Sequence, residues 1–308
     1  MKISVIVPCY QAAEALAISL PAMRAQSIAA EWIFVDDGSS DSTAAVIEAE
    51  LSLGFGAEGS SGSLIRLGPN QGRAAARNAG LGAASGDLIV FLDADAVPPE
   101  TFLLNHLSVY TRHPIAVVAV SPIRPHESAP DDPYTTYLQL GRRGANKGSG
   151  RLHWQHFITT AASVRRMALD EVGAFDETID YGEDTDLALR LEVRFPVGLR
   201  AASAEIGLLQ TGDIEVALGK MRHFASETLP NLAKRHPQIE RWPGFRVVLS
   251  RPPHRPVQAV PRLIAGSALV AAIARRLLPK LPQTLAPRVV RLLLAHALVT
   301  GYDGRSRA

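Results

Sequence analysis

Short apolar runs separated by amphipathic stretches set the rhythm of the first part of the chain. Ile3–Val7, Trp32–Val35 and Asp87–Leu92 each carry four or five apolar residues, rich in β-branched and aromatic types. Such runs, without polar alternation, fit parallel strands buried on both faces. A weaker run at Ser63–Leu67 completes a set of four. Helical periodicity fills the gaps, at Ala12–Gln26, from a cap at Asp41 or Ser42 to about Leu53, and at Gly72–Ala84. Gly54–Ser63 is rich in Gly and Ser and reads as a surface loop. Strand and helix in regular alternation predict an α/β fold with a mostly parallel central sheet and flanking helices.

The middle of the chain is less regular. Val117–Val120 and His153–Thr160 are expected strands, and Pro122–Pro133, with four prolines, an irregular excursion. Arg142–Gly150 is basic and glycine-rich, the composition of a loop. Ala168–Val172 reads as a short helix, and a longer one follows Tyr181-Gly-Glu-Asp184 to about Phe195. Beyond Pro252, two apolar stretches, Leu263–Ala274 and Val289–Val299, are separated by Arg275-Arg276 and several prolines. Each falls short of the roughly 20 apolar residues that a membrane span requires. Short apolar helices flanked by arginine can lie in a membrane interface, or pack as a pair against protein.

Composition changes this picture in two ways. At 308 residues and 47% hydrophobic, the chain can bury a full core. Its one cysteine, Cys9, excludes an internal disulfide and a cysteine metal cluster, as suits a reducing compartment. The opening residues lack a signal peptide's charged start and long apolar segment, and are expected to be the first strand. The net charge of +2 hides an asymmetry: residues 251–308 hold ten Lys/Arg and one acid, a net +9. The preceding residues hold 22 basic and 29 acidic side chains, a net −7. The expected division is therefore residues 1–250, as halves 1–110 and 111–250, followed by a basic helical segment at 251–308 that seeks an anionic surface. With acidic side chains prevailing over most of the chain, nucleic acid is not an expected partner.

Candidate chemistry collects where an α/β fold binds ligands, beyond the carboxyl ends of its strands. Pro8-Cys-Tyr10 ends the first strand, Asp36-Asp37-Gly38-Ser39 the second, and Asp93-Ala-Asp95 the fourth. In an extended backbone residues i and i+2 point the same way, so Asp93 and Asp95 face one spot if the strand continues through them. Hard divalent cations favour such oxygens, and Mg²⁺ or Mn²⁺ sits between one or two carboxylates and a substrate's phosphates. Asp37 can accept from a base imide or a ribose hydroxyl, and Tyr10 can stack on the base. Arg73 and Arg77 share one helix face, where either guanidinium can pair with a diphosphate or stand as a surface charge. Glu183 and Asp184 open a helix, which favours acidic side chains and keeps a carboxylate ionised, as a base must be. Asp186 and Arg190 read as a structural pair. Trp154 can stack on a sugar or sit in the core, and His153-x-x-His156 invites a zinc reading that lacks a third ligand.

Five stretches together resemble the family 2 glycosyltransferases with the GT-A fold. They are Ser4-Val-Ile-Val-Pro-Cys-Tyr10, Phe34-Val-Asp-Asp-Gly-Ser-Ser-Asp41, Gly72-Arg-Ala-Ala-Ala-Arg-Asn-Ala-Gly80, Phe91-Leu-Asp-Ala-Asp95, and Gly173-Ala-Phe-Asp-Glu177 with Gly182-Glu-Asp184. They follow the family's order and spacing over about residues 3–195. The resemblance implies inverting transfer of a sugar from a nucleoside diphosphate donor, by family habit a UDP-sugar, to an acceptor hydroxyl. It implies that Pro8, Tyr10, Asp37, Arg73, Arg77 and Asp93 hold the donor, and that Asp95 with Asp93 holds Mn²⁺ or Mg²⁺. Asp184, with Glu183 as the second candidate, would be the base, and Trp154 and Thr160 would line the acceptor side. A glycan, a lipid-linked sugar and a small metabolite are all open as acceptors. The expected place is the cytoplasm, peripheral on the inner face of the cell membrane.

One departure is visible. Many relatives place a histidine after the last core strand, whereas Gly207-Leu-Leu-Gln-Thr-Gly-Asp213 has none and His223 lies further on. A third metal ligand is left unassigned. Two rivals remain. A nucleotidyltransferase would want a Gly-rich, basic loop after the first strand, where this chain has Pro8-Cys-Tyr-Gln-Ala-Ala13. A catalytically silent nucleotide-sugar-binding scaffold would bind nucleotide without transfer.

Overall fold

The structure, a computed structural model, describes residues 1–140, 150–196, 198–210, 212–241, 245, 248, 249 and 262–305. Nearly all of the basic Arg142–Gly150 stretch lies outside the described residues. The chain forms two compact units, Met1–Ala129 with Arg142–Gln210, and Pro130–Gly141 with Thr211–Ala308. The second unit thus takes in residues on both sides of position 250.

In the first unit the strands are β1 (Ile3–Cys9), β2 (Glu31–Asp36), β3 (Ser61–Arg66), β4 (Leu88–Leu92), β5 (Ala96–Val97), β6 (Val118–Val120), β7 (Ile123–Pro125), β8 (Ala161–Arg165), β9 (Leu199–Ala201) and β10 (Ile206–Leu208). Its helices are α1 (Ala13–Arg24), α2 (Thr43–Ser52), α3 (Arg73–Ala83), α4 (Phe102–Arg112), α6 (Arg166–Val172) and α7 (Glu183–Arg194); α5 (Pro133–Leu140) belongs to the second unit. The central sheet runs β3-β2-β1-β4-β8-β6-β9, with a small second sheet β5-β10-β7. β3, β2, β1 and β4 are parallel, β8 is antiparallel to both of its neighbours, and β9 is parallel to β6.

The continuous apolar runs are explained by what covers the sheet. Along β1, Ile3, Val5 and Val7 enter one core cluster with Leu16, Leu20 and Phe102, while Ile6 faces the other. Along β4, Leu88, Val90 and Leu92 join the first cluster and Ile89 and Phe91 the second. Successive side chains of a strand alternate faces, so two buried faces make nearly every position apolar; the buried Ser4 of β1 is the exception, its hydroxyl donated to Glu31. The result is a sheet between two layers of helices.

Several expectations change. His153–Thr160 is not a strand: Trp154–His156 is a single 3-10 turn, and the strand begins at Ala161. The proline-rich excursion contains β7. α4 has a buried face of Phe102, Leu103, His106, Val109 and Tyr110, a helical spacing that the sequence carried unread.

The second unit holds α5, α8 (Ile214–His223), α9 (Leu229–Arg235), α10 (Ala268–Leu277) and α11 (Ala286–Arg305). The two C-terminal apolar stretches are therefore helical, and both belong to a cluster built on Leu218, Leu278, Val290 and Leu293. No described helix is long and apolar enough to cross a membrane.

Candidate active site

The carboxyl ends of β1 and β2 are tied together before any ligand is considered. Gln11, at φ 48°, turns the chain out of β1, and its Oε1 accepts the backbone N–H groups of Ser40 and Asp41 at 2.9 and 3.1 Å. Gly38, at φ 75°, passes so close to the Gly68 carbonyl that a Cβ would collide with it. Tyr10, next to these turns, is 53% exposed, open for stacking. Pro8 is half-buried in β1. Cys9 is buried, and burial, then the nearby Asp36 and Asp93 carboxylates, hold its thiol neutral.

Asp37 is buried, and each oxygen takes one backbone N–H, from Gln71 at 2.8 Å and Gly72 at 2.9 Å. The carboxylate thereby fixes the loop that starts α3. A nucleoside would meet it as an acceptor already holding two donors. α3 presses against β1 at Gly80, where a Cβ would collide with Ile6. That close approach sends the next turn back along the helix, Arg77, inside the protein.

Arg77 is not a surface charge. Its side chain is 2% exposed, with Nη1 2.6 Å from Glu183 Oε1 and Nη2 3.0 Å from Asp93 Oδ1. Burial works against the charged guanidinium, but Asp93, Glu183 and Asp184 outweigh it and raise its pKa further. The Phe175 ring lies 5.6 Å from the guanidinium carbon, a cation–π contact. Asn78 holds Phe175 in place, accepting its N–H and donating to its carbonyl, both at 3.0 Å. These contacts give the Gly173–Glu177 motif a physical role that spacing alone did not reveal. Arg73, by contrast, stays half-exposed, 3.9 Å from Glu183 and 5.3 Å from the centre of the Tyr181 ring.

The Asp93–Asp95 pair departs from the extended geometry. β4 ends at Leu92, and the Ala96 N–H closes a turn onto the Asp93 carbonyl at 3.0 Å. The pleat therefore does not aim the two carboxylates at one spot. Asp93 Oδ1 faces Arg77 and Oδ2 accepts the Thr160 hydroxyl at 2.6 Å. Thr160, expected on the acceptor side, is thus placed on Asp93, just past the end of the antiparallel β4–β8 ladder, where its carbonyl also accepts the Asp93 N–H at 3.2 Å. Asp95 is half-buried, and its carbonyl accepts the Leu209 N–H from the segment after β10.

These residues fit a hard divalent cation in their donor chemistry. Two half-exposed carboxylates share one turn, and each carboxylate oxygen carries more than one acceptor position. Among the described residues no group of three or more His, Cys, Asp or Glu is arranged around an ion. Such an ion would rest on one or two carboxylates and draw its other oxygens from a diphosphate and water. The His153 and His156 rings do not converge: His153 Nδ1 meets Glu192 at 2.8 Å, and His156 turns back onto the His153 backbone. Trp154 packs partly buried against the second core cluster, its backbone N–H on Glu192 at 2.8 Å.

At the start of α7 the two adjacent acids diverge. Glu183 is buried and consumed, one oxygen on Arg77 and the other accepting the Gly182 N–H at 3.0 Å. Asp184 is half-buried, and its carboxyl is pushed up to about 6 by burial and by repulsion from Glu183, against the pull of Arg77 and Arg73. Asp186 pairs with Arg190 at 2.8 Å, and Arg190 also caps the carbonyls of Val172, Gly173 and Ala174. The helix start is anchored on all sides around one carboxyl that titrates near neutrality.

Residues 4–173 match the sequence model of glycosyl transferase family 2. The chain is 27% identical over 281 residues to the pre-mycofactocin glycosyltransferase of Mycobacterium tuberculosis, spanning 88% of this chain and 52% of that protein. A shorter match, 39% identical over 108 residues, reaches the undecaprenyl-phosphate 4-deoxy-4-formamido-L-arabinose transferase of Sodalis glossinidius, over 32% of this chain and 31% of that one. The chain thus spans about half the length, or less, of these relatives. Among solved structures, the mannosyltransferase PcManGT from Pyrobaculum calidifontis, in complex with GDP-Man and Mn²⁺, superposes with a TM-score of 0.62 at 21% identity, over 98% of this chain and 87% of that one. S. aureus TarS in complex with UDP-GlcNAc superposes with a TM-score of 0.54 at 15% identity, over 100% and 92%. At such identities these two likenesses show the fold.

Proposed function

The chain belongs to the family 2 glycosyltransferases, and from that premise we propose that it transfers a sugar from a nucleoside diphosphate donor to an acceptor hydroxyl with inversion. The observation that carries this reading is Asp184. It is a carboxyl titrating at about 6, set beside a glutamate already spent on a buried arginine. A general base works best with a pKa near the working pH, and this one is ionised for most of the time at pH 7. The acceptor oxygen attacks the anomeric carbon, its proton passes to Asp184, and the bond to the diphosphate breaks. One displacement inverts the centre and needs no covalent enzyme intermediate.

Tyr10 offers a stacking face for the base, and Asp37 an acceptor for a base imide or ribose. Arg73 remains exposed enough to meet a phosphate, a role that Arg77 gives up to Asp93 and Glu183. Asp95 and Asp93 would hold Mn²⁺ or Mg²⁺, which when bound neutralises charge on the departing diphosphate. UDP-sugar is the proposed donor; the nucleotides named in the solved likenesses, UDP-GlcNAc and GDP-Man, support a nucleoside diphosphate sugar in general. Trp154 is the proposed acceptor contact, by its partly exposed edge.

Calorimetric titration of UDP, GDP and dTDP, with and without Mn²⁺, tests this reading. Binding of one nucleotide that strengthens with Mn²⁺, and that weakens in Asp95→Asn, is expected. Absence of binding under every condition would remove the donor-site assignment. Binding with no transfer to any supplied acceptor class would favour the silent scaffold.

A further inference from the structure

α10 wears its amphipathicity inside out. At about 100° per residue, Ala271 and Ala274 share one side of the helix, and Leu269, Ala272, Ile273 and Arg276 the other, with Leu277 at its edge. The alanines are buried, in one cluster with Val290, Leu293 and Ala297 of α11. The large side chains face out: Leu269 is 70% exposed and Ile273 51%, and Leu277 is exposed as well. Leu263 and Ile264, in the helical turn just before, are likewise exposed. A helix meant for water buries its leucines and shows its small or polar residues. This one does the reverse.

Cations dominate the charges nearby. Arg276, Lys280, Arg288 and Arg291 are exposed, and Arg275 pairs at 3.1 Å with Glu215 of α8. Over residues 262–305 the single acid is Asp303, and it is held by Arg262 at 2.6 Å. An outward apolar stripe with an arginine set into it, bordered by unbalanced cations, matches a helix that lies in the headgroup region of an anionic bilayer. Its leucines enter the acyl boundary while the long basic side chains reach the lipid phosphates.

We propose that the outer face of α10, through Leu269, Ile273 and Leu277 with Arg276 and Lys280, docks this protein on an anionic lipid surface. A second copy of the chain would cover apolar area equally well, but it would bring the same positive charges face to face. The charge complementarity therefore selects lipid. The proposal is independent of the transferase reading, because its test measures binding and not turnover.

The test is co-sedimentation of the full chain with vesicles of phosphatidylcholine alone and of phosphatidylcholine with phosphatidylglycerol. Binding is expected on the anionic vesicles, weakened by salt, and reduced at least about tenfold by Leu269→Glu with Ile273→Glu. Arg276→Glu with Lys280→Glu should lower anionic binding without creating affinity for neutral vesicles. Circular dichroism and size-exclusion chromatography of each variant establish that it folds. Undiminished binding by the folded Leu269→Glu/Ile273→Glu variant would overturn the stripe as the docking element. So would a wild-type dimer that this variant converts to monomer while neither form binds vesicles.

Discussion

Replacing Asp184 by asparagine should cost the protein its activity and increase its stability. In the folded protein the carboxyl titrates at about 6, against an ordinary value of 3.8. Between those two values the unfolded chain has released a proton that the folded chain still holds. Stability therefore falls as pH rises through this window, and stays reduced above it. At about 1.4 kcal/mol per pH unit, the gap caps the effect near ~3 kcal/mol. Asp184 is half-buried, so solvent screening lowers the expectation to about 1–2 kcal/mol. Asp184→Asn does not titrate and keeps the shape. Urea unfolding should show it more stable than wild type by that amount at pH 7, with the difference shrinking toward zero near pH 4. The kcat/KM of the wild type should fall on the acid side of about pH 6, and transfer by the variant should be lost while donor binding persists. Equal stability of the two proteins at pH 7 would refute the electrostatic argument. Full transfer by the variant would remove Asp184 as the base.

Arg77→Met should destabilise by about 3–5 kcal/mol, because it leaves the buried Glu183 with only the half-exposed Arg73, 3.9 Å away, as a cation. Adding Glu183→Gln should recover much of that loss in denaturant unfolding; additive losses in the double variant would show that the two groups are not coupled. His106 is buried between Ser163 and Ser121, at 2.7 and 2.9 Å, and burial pushes its ring down to about 3. Its contribution is present at neutral pH and is lost as pH falls below about 6.5, on the order of 2 kcal/mol by pH 5. His106→Gln should flatten that acid limb of the stability curve; an unchanged limb would locate the acid sensitivity elsewhere.

Legibility varied with the range of the interaction involved. β1, β2 and β4 could be read because a strand covered on both faces is apolar at nearly every interior position, a purely local demand. β8, with its two alanines and a serine, carries no such signature. It becomes a strand because β4 and β6 supply partners on either side. His153–Thr160 failed for the complementary reason: its alternation is brief, and its polar groups are satisfied by Glu192 and Asp93 rather than by a ladder. The extended geometry expected of Asp93 and Asp95 is not found, since the strand stops at Leu92 and both aspartates lie in the turn that follows.

The composition and order of the motifs were enough to place the chain among the family 2 glycosyltransferases and to predict an α/β sheet, and they nominated acids as candidates for binding a metal or taking a proton. These properties are written in residue types and in spacings of a few positions. The tertiary structure decided how the groups differ. Arg73 and Arg77 are one helical turn apart and equivalent in sequence, yet contact with Phe175, Asp93 and Glu183 buries one and leaves the other in reach of solvent. Glu183 and Asp184 are neighbours, yet only one finds a cation at hydrogen-bonding distance, and the other is left with a carboxyl that titrates near neutrality. The direction in which α10 turns its leucines was likewise fixed by which side its alanines pack. Charge and burial depend on what distant segments bring to the same place, and that information exists only once the chain has folded.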